Sequence, residues 1–350
     1  MALTPSGTIK YSQIIAEFGT PKNGGIGEYR ISENVGSLTN LPLDIGVPQS
    51  GQIKFSDFYG KRLNQVVDLY SIGNNTSRQD AKDRWNTGNV HVVGSTKTTK
   101  TQPPDTTDDR VIINVNNTIS SVKGTQTHCA LKTGNWDSGT VLVIEIGTSG
   151  KLYGSGGDGG TGGSANETAG TDGQTGSSAL GIEYPCSINN LGVIQSGYGG
   201  GGGGGGNTRT TGGGKKSGAT TNGSSGGGGG GGAGLPAGNG GGVQTPLAVG
   251  GGSAGSAGAA GSLSNLVTGA GTGGGGGSEA GDGGNASAVN NSATKAEDGD
   301  VYLDSNGNQQ SADGGIGGNN GYAIITNQVS APSLSGNSVT GRTVTSTNPT

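Results

Sequence analysis

"GYGGGGGGGGNTRTTGGGKK" occupies residues 197–216, and its centre is eight consecutive glycines, Gly199 to Gly206. Glycine loses more backbone freedom on ordering than any other residue and brings no side chain to bury. Whether this stretch is a linker, a low-complexity tail or a folded object decides the fold. The chain has 350 residues, 80 of them Gly, and 60 of those lie between 151 and 320. Only 28% of residues are hydrophobic and 4% aromatic. Ordinary domains carry about 7% Gly and close to half apolar residues, so one conventional core cannot serve the full length.

Four readings of the block compete. A Gly/Ser linker behaves as a coil, yet the glycine runs are broken by short dissimilar peptides such as "NTRTT", "AGLPAGN" and "SLSNLVT". Uniform runs alternating with varied peptides suggest rods joined by loops. Collagen needs Gly at every third position and abundant Pro; only "SAGSAGAAG" (253–261) keeps that spacing, and the chain has 11 Pro. An RNA-binding Gly-rich tail needs Arg and aromatics for stacking. From 199 to 321 the sole aromatic is Tyr302, and the basic residues between 152 and 341 are Arg209, Lys215, Lys216 and Lys295.

The remaining reading is a bundle of polyglycine II helices. Such a helix has three residues per turn, about 3.1 Å rise and no internal hydrogen bonds, so its backbone groups must be satisfied by neighbours. Ordering costs about 1–2 kcal/mol per residue, and a hydrogen bond returns a net of about 0.5–1.5 kcal/mol. A rod is stable only where nearly every residue bonds to neighbours on several sides. Glycine at every inward position permits that approach. The expected fold class is a mainly β N-terminal part followed by a glycine-rich bundle of polyglycine II helices.

Outside the block the pattern changes. "SGTIKYSQI" (6–14) and "SGQIKFSDF" (50–58) form an internal repeat offset by 44 residues. Each is followed by a short expected helix, "SQIIAEFG" and "SDFYGKRL", with Ser at the N-cap. Residues 1–65 are read as a docking segment whose apolar side chains need a partner chain. Residues 66–150 read as a small β-rich domain, because "NVHVVG", "RVIINVN", "SSVKG", "HCALKTG" and "TVLVIEIG" are β-branched runs between turn signals. "NTSRQDAKDRWN" is the exception, a helix capped by Asn75 or Thr76, and Trp85 and Trp136 are expected to anchor the core. Residues 96–109 read as a polar loop, 151–325 as the glycine-rich domain, and 326–350 as a Thr/Ser-rich tail. A second repeat, Ile146-x-x-x-Gly150-x-Leu152 and Ile188-x-x-x-Gly192-x-Ile194, sits 42 residues apart, each copy running directly into glycine.

The formal net charge of −4 supplies no basic field for nucleic acid or anionic lipid. No apolar run reaches membrane-span length and the N-terminus lacks a signal peptide's apolar region, so a soluble protein is expected. Cys129 and Cys186 can pair or stay free, with free buried thiols favoured when no secretion signal is present.

Chemical motifs are weak. Polyglycine satisfies G-x-G-x-x-G trivially. "GGGKKSG" has Lys216 where a phosphate loop needs Ser or Thr, and "GGSAG" has no acid/base partner in view. His91 and His128 lie in strand-like runs, and no second ligand pair stands at metal spacing near His128-Cys129. Asp304, Asn306 and Asn308 follow the start of a calcium loop, but Gln309 stands where Gly belongs and no Glu closes it. No catalytic residue, metal or cofactor is expected.

The strand-to-glycine transitions "VIEIGTSGKLYGSGGDGGTGG" (143–163) and "INNLGVIQSGYGGGGGGGG" (188–206), and the exit "GGIGGNNGYAII" (314–325), resemble the glycine-rich modules of bacteriophage tail-fibre proteins, in particular the tip adhesins of T-even-like phages. "MALTPSGTIK" and "IKFSDFYGKR" are similar to segments of marine and cyanobacterial phage structural proteins. The resemblance implies polyglycine II rods stacked in a sandwich, with variable loops contacting a bacterial surface receptor. It further implies a virion protein of the tail fibre or tail tip; the family's adhesins have a different N-terminal attachment domain, so it is the docking reading of residues 1–65 that makes this segment the one held by other tail or fibre proteins. The host receptor is then a glycan or an outer-membrane protein, no nucleic acid is bound, and a homo-oligomer is an open option.

Arg209, Lys215, Lys216, Leu235, Pro236, Leu263, Leu266 and Val267 are the few charged or bulky groups of the block, and are the expected receptor-contacting loop residues; the competing reading makes them plain turns. The rival function is a purely structural neck, baseplate or capsid-surface fibre touching only virion proteins.

Overall fold

A computed structural model describes residues 3–69, 78–101, 110–166, 168–211, 220–249, 254–262, 270–277, 280–287, 293–299, 302–303, 309–310, 312–327, 329–345 and 349. The β-branched runs stack into five coils of parallel strands. The first coil holds Asn64–Leu69 and Gln79–Asp80; the second, Arg110–Val115, Thr118–Ser120 and Cys129–Lys132; the third, Val141–Ile146, Lys151–Tyr153 and Ser178–Ile182. The fourth holds Cys186–Asn190, Val193–Gln195 and Tyr322–Thr326, and the fifth Ser333–Gly336 and Arg342–Val344. Each coil pairs in parallel with the next on up to three faces. The result is a three-faced β-solenoid.

Alternate residues point into its core, most cleanly in one strand, while Asn64–Leu69, Arg110–Val115 and Ser178–Ile182 are covered on both sides. In Val141–Ile146, Leu142, Ile144 and Ile146 are buried while Val143 and Glu145 reach the surface. Parallel register then stacks like on like: Val67, Ile113, Ile144 and Ile188 on one face, Ile119, Leu152 and Ile194 on the second, Leu131, Leu180 and Ile324 on the third. All are buried in one cluster, each contributing about 1.5–3 kcal/mol. Trp136 is buried and meets Trp85 edge to face at 6.0 Å. The coils cross the compositional boundaries at 150 and 326, because strands on both sides of the glycine block close one core.

Residues 3–63 cover the outer side of the first two coils. Ile14, Phe18, Tyr29, Leu43 and Phe58 form a second core with Val66, Val92 and Ile112. Here the expectation is corrected: the apolar side chains of this segment find their partner within the chain. The repeat does have a structural meaning. In both copies a lysine amide is bonded by the side chain three residues on, Lys10 N to Gln13 Oε1 at 2.8 Å and Lys54 N to Asp57 Oδ2 at 2.7 Å. Lysine therefore holds the N-cap position expected for serine. Only the first copy becomes an α-helix, Tyr11–Phe18; the second stops as the 3-10 turn Phe55–Phe58 before Gly60, whose φ is +65°. The helix Ala81–Asn86 is capped by Asp80, which accepts from the Lys82 and Asp83 amides; Asn75 and Thr76 lie outside the described residues, as do 102–109 of the polar loop. Both cysteines are free, and burial pushes each thiol up to about 12.

The glycine block leaves the solenoid at a single corner, between its second and third faces. The second coil crosses that corner with the loop 121–128, the third with 154–177, and the fourth with 196–321. Ten extended rods run alternately away from the corner and back: 154–165, 168–177, 197–206, 225–233, 238–243, 254–262, 270–277, 280–287, 293–299 and 312–321, called rods 1 to 10. Their hydrogen bonds run between rods. On rod 3 the amides of Gly200 and Gly203 donate to Gln174 and Thr171 of rod 2, those of Gly201 and Gly204 to Gly230 and Gly227 of rod 4, and that of Gly205 to Glu297 of rod 9. Its carbonyls accept from rods 1, 8 and 10 in the same cycle of three. Rod 3 thus has six neighbours, and rod 4 likewise bonds to rods 1, 3, 5, 6, 7 and 8. The bonded pairs define three layers: rods 2, 1 and 5; rods 10, 3, 4 and 6; rods 9, 8 and 7.

This packing answers why glycine dominates. A Cβ on Gly202, Gly203 or Gly204 would sit 1.9, 2.0 or 2.0 Å from a carbonyl oxygen of rod 10, 1 or 8. No face of a central rod is open, and the two longest glycine runs, 199–206 and 226–232, are the two central rods. Peripheral rods keep side chains where they face out. Rod 1 reads Gly-Gly-X, with Gly156 and Gly159 against rod 4, Gly157 and Gly160 against rod 2, and Asp158 and Thr161 outward. Rod 6 is "SAGSAGAAG", whose Gly255, Gly258 and Gly261 all face rod 4. Its collagen-like period is one face of a three-residue turn.

Candidate functional site

Antiparallel rods gather alternate connections at the same end. The far end carries the connections from rod 1 to 2, 3 to 4, 5 to 6, 7 to 8 and 9 to 10. Three of these touch. Asn207–Thr211 and Thr220–Ser224 form an antiparallel hairpin, and Ala248–Val249 adds a third strand to it. The Ala165 amide donates to Pro246 O at 2.9 Å. Residues more than 80 apart in sequence therefore share one distal surface, seated on Asn207, Ser224 and Ser225, which are buried. A second hairpin, Tyr302–Leu303 with Gln309–Gln310, crowns rods 9 and 10.

The expected site residues divide between the two ends. Arg209 lies in the distal hairpin. Lys215 and Lys216 belong to the same connection but lie outside the described residues, as do Leu263, Leu266 and Val267 and the calcium-loop candidates Asp304, Asn306 and Asn308. Leu235 and Pro236 are at the opposite, solenoid-proximal end: the Leu235 amide donates to Gly154 O and the Gly156 amide to Pro236 O. Roughly 25 Å of rod at about 3.1 Å per residue separates them from Arg209. They cannot share a contact surface with it.

What sequence reading missed is the role of the outward polar residues. At the bundle's surface a rod lacks a neighbour, and an Asp, Asn, Ser or Thr side chain supplies the missing acceptor. Asp282 accepts from the Gly276 amide at 2.7 Å, Asn285 from Gly273 at 2.9 Å, Asp172 from Ile316 at 2.7 Å and Thr171 from Thr161 at 2.7 Å. Asp298 accepts from Gly314 at 2.7 Å; that bond and Lys295 hold its carboxyl below the usual range. These residues seal the bundle as a polar jacket. The signal was available as Asp, Asn, Ser or Thr recurring at the third position between glycines.

Elsewhere, His91 Nε2 lies 2.9 Å from Glu33 Oε2. Among the described residues no three His, Cys, Asp or Glu side chains converge as a metal cluster. A groove of about 310 Å³ on the bundle flank is lined by Gly273–Gly275, Asp282, Asn285, Thr294 and Lys295. The chemistry on offer is hydrogen bonding across an extended polar surface.

Residues 84–247 match the family of the phage tail fibre adhesin Gp38, so the resemblance to tail-fibre adhesins holds over the second and third coils, the first two strands of the fourth, and rods 1 to 5. The crystal structure of the gp37-gp38 adhesin tip complex of the bacteriophage S16 long tail fiber is similar at 20% identity, over 97% of this chain and 99% of that chain, with a TM-score of 0.40. No curated protein matches the chain.

Proposed function

We propose that this protein is a phage tail-fibre adhesin that sits on the virion's fibre tip and binds a host-surface receptor through the distal connections of its glycine bundle. The family match over 84–247 supports the adhesin reading, and the observation that carries the site is the convergence of the 165, 223 and 246 connections on one distal surface. Loops at the end of a rigid scaffold vary without disturbing it. The rods act as polyglycine II helices: bonding partners cycle every three residues, and the rod glycines avoid the left-handed φ region, as a polyproline II-type backbone does. The protein works by binding, without catalysis, and in partnership with other tail-fibre proteins.

Lys215 and Lys216 give the 207–224 connection a positive charge that suits an anionic receptor such as an acidic glycan. The test is replacement of residues 208–222 by an unrelated sequence of equal length, which leaves the buried Asn207, Ser224 and Ser225 in place. Adsorption to host cells is expected to fall at least tenfold with particle assembly intact. Unchanged adsorption would favour the purely structural fibre.

A further inference from the structure

The two ends of the solenoid differ. At the first coil the edge is closed: His91–Val92 pairs antiparallel to Asn64–Leu69, and residues 3–63 pack over the adjoining face. At the fifth coil, among the described residues, Ser333–Gly336 pairs only with Cys186–Asn190, and Arg342–Val344 only with Tyr322–Thr326. All four residues of Ser333–Gly336 are exposed.

Leu334 stands in register with Ile188, the last member of the buried column Val67, Ile113, Ile144, Ile188. That register puts it on the side of the strand that carries the column, yet it is 43% exposed where its column-mates are at most 1%. Val339 is only partly buried against the same core. The Asn337 amide donates to Asn190 O, so odd-numbered residues of this strand face the fourth coil. Alternation turns the Leu334 N–H and C=O toward the free edge. The described C-terminal residue Pro349 lies elsewhere: a Cβ on Gly181, in the third coil, would meet its ring at 2.4 Å.

An exposed strand edge invites another strand, and natural edges are blunted by charge, proline or a cover. "SLSG" itself carries neither charge nor proline, and Pro332 removes only the outward N–H one residue before the strand, leaving those of Leu334 and Gly336 free. We infer that the fifth coil is the docking end for the fibre: an extended segment of a tail-fibre partner adds a strand along Ser333–Gly336 and covers Leu334. The occupant is a strand because only backbone donors and acceptors at strand spacing match this edge, and it brings apolar side chains because Leu334 needs cover. This inference rests on the proposed fibre-tip role and moves attachment from residues 1–65 to the opposite end of the solenoid.

The decisive variant is Leu334→Pro, which removes one outward N–H and leaves the bonds to the fourth coil intact; Leu334→Lys places a charge on the same edge. Virions assembled with either are expected to carry at least tenfold less of this chain. The purified variants should melt within a few degrees of the parent and bind host cells as well as it does when coupled to beads. Normal incorporation of both variants, with loss in Phe55→Glu, would overturn the inference in favour of the N-terminal segment. A purified chain that dimerises, and is made monomeric by Leu334→Lys without change in incorporation, would overturn it in favour of a second copy. Should both variants misfold, hydrogen exchange decides. The Leu334 amide of the unaltered chain should slow at least tenfold in the virion, and an unchanged rate refutes docking here. Failure of the bead-coupled unaltered chain to bind host cells would sink the receptor reading alone.

Discussion

The solenoid and the glycine bundle solve one problem in opposite ways. Both stack layers of extended backbone and bond each layer to the next. The solenoid leaves space inside its three faces and fills it with Val, Ile and Leu columns. The bundle closes the space until carbonyl oxygens occupy the positions a Cβ would take. The first is harmed by removing atoms and the second by adding them. Because rods 1 and 2 leave the third coil and rods 3 and 10 belong to the fourth, the two systems share their layering.

The sharpest way to break the comparison is to add a side chain at the bundle's centre. Gly203→Val should abolish soluble folding, since its Cβ would lie 2.0 Å from Thr161 O and the backbone cannot yield without losing bonds to several rods. Even Gly203→Ala should fail or melt far below the parent. Soluble expression and a thermal melt decide; parent-like behaviour of either would show that the rods are not close-packed.

The converse experiment removes atoms from the solenoid. Ile144→Ala takes a buried side chain from the middle of a column and should cost about 2–5 kcal/mol while the chain still folds. Denaturant unfolding measures this. A loss as complete as that of Gly203→Val would mean the two regions unfold as one and that the contrast is false.

Hydrogen exchange separates the regions without mutation. Amides of Gly200, Gly201, Gly203 and Gly204, each bonded to a neighbouring rod at 2.8–2.9 Å, should exchange as slowly as those of the solenoid columns. Coil-like rates would reduce the block to a spacer.

The smallest effect concerns the polar jacket. Asp298 has its carboxyl lowered by the Gly314 amide and by Lys295. A depressed folded value means its contribution is present above the ordinary 3.8 and is lost as pH falls through the lower folded value. Exchange at Gly314, corrected for intrinsic rate, should therefore accelerate below about pH 3.8, and Asp298→Asn should flatten that dependence. No acceleration in the parent would mean the side chain does not close this edge.

Much of this was legible in the residues. β-branched runs between turn signals marked the strands 110–115 and 141–146, the 42-residue repeat marked Leu152 and Ile194 as equivalent, and they do pair in register. Runs of glycine broken by dissimilar peptides marked rods and connections. β-branching and the absence of side chains are local properties, so composition and spacing carry them directly.

The tertiary structure alone decided which glycines are central, which connections share an end, and what covers the N-terminal apolar groups. Gly170, Gly173 and Gly176 recur every third residue because they face rod 3, yet nothing in that spacing says which rod they face. Leu235 and Arg209 look alike as exceptions in a featureless block and lie at opposite ends because the chain reverses between them. Residues 1–65 carried apolar groups with no visible cover, and their cover is Val66, Val92 and Ile112, up to 100 residues away. A sequence records which backbone can approach closely and which side chain seeks burial. What approaches it is set by long-range pairing, which one residue's chemistry does not encode.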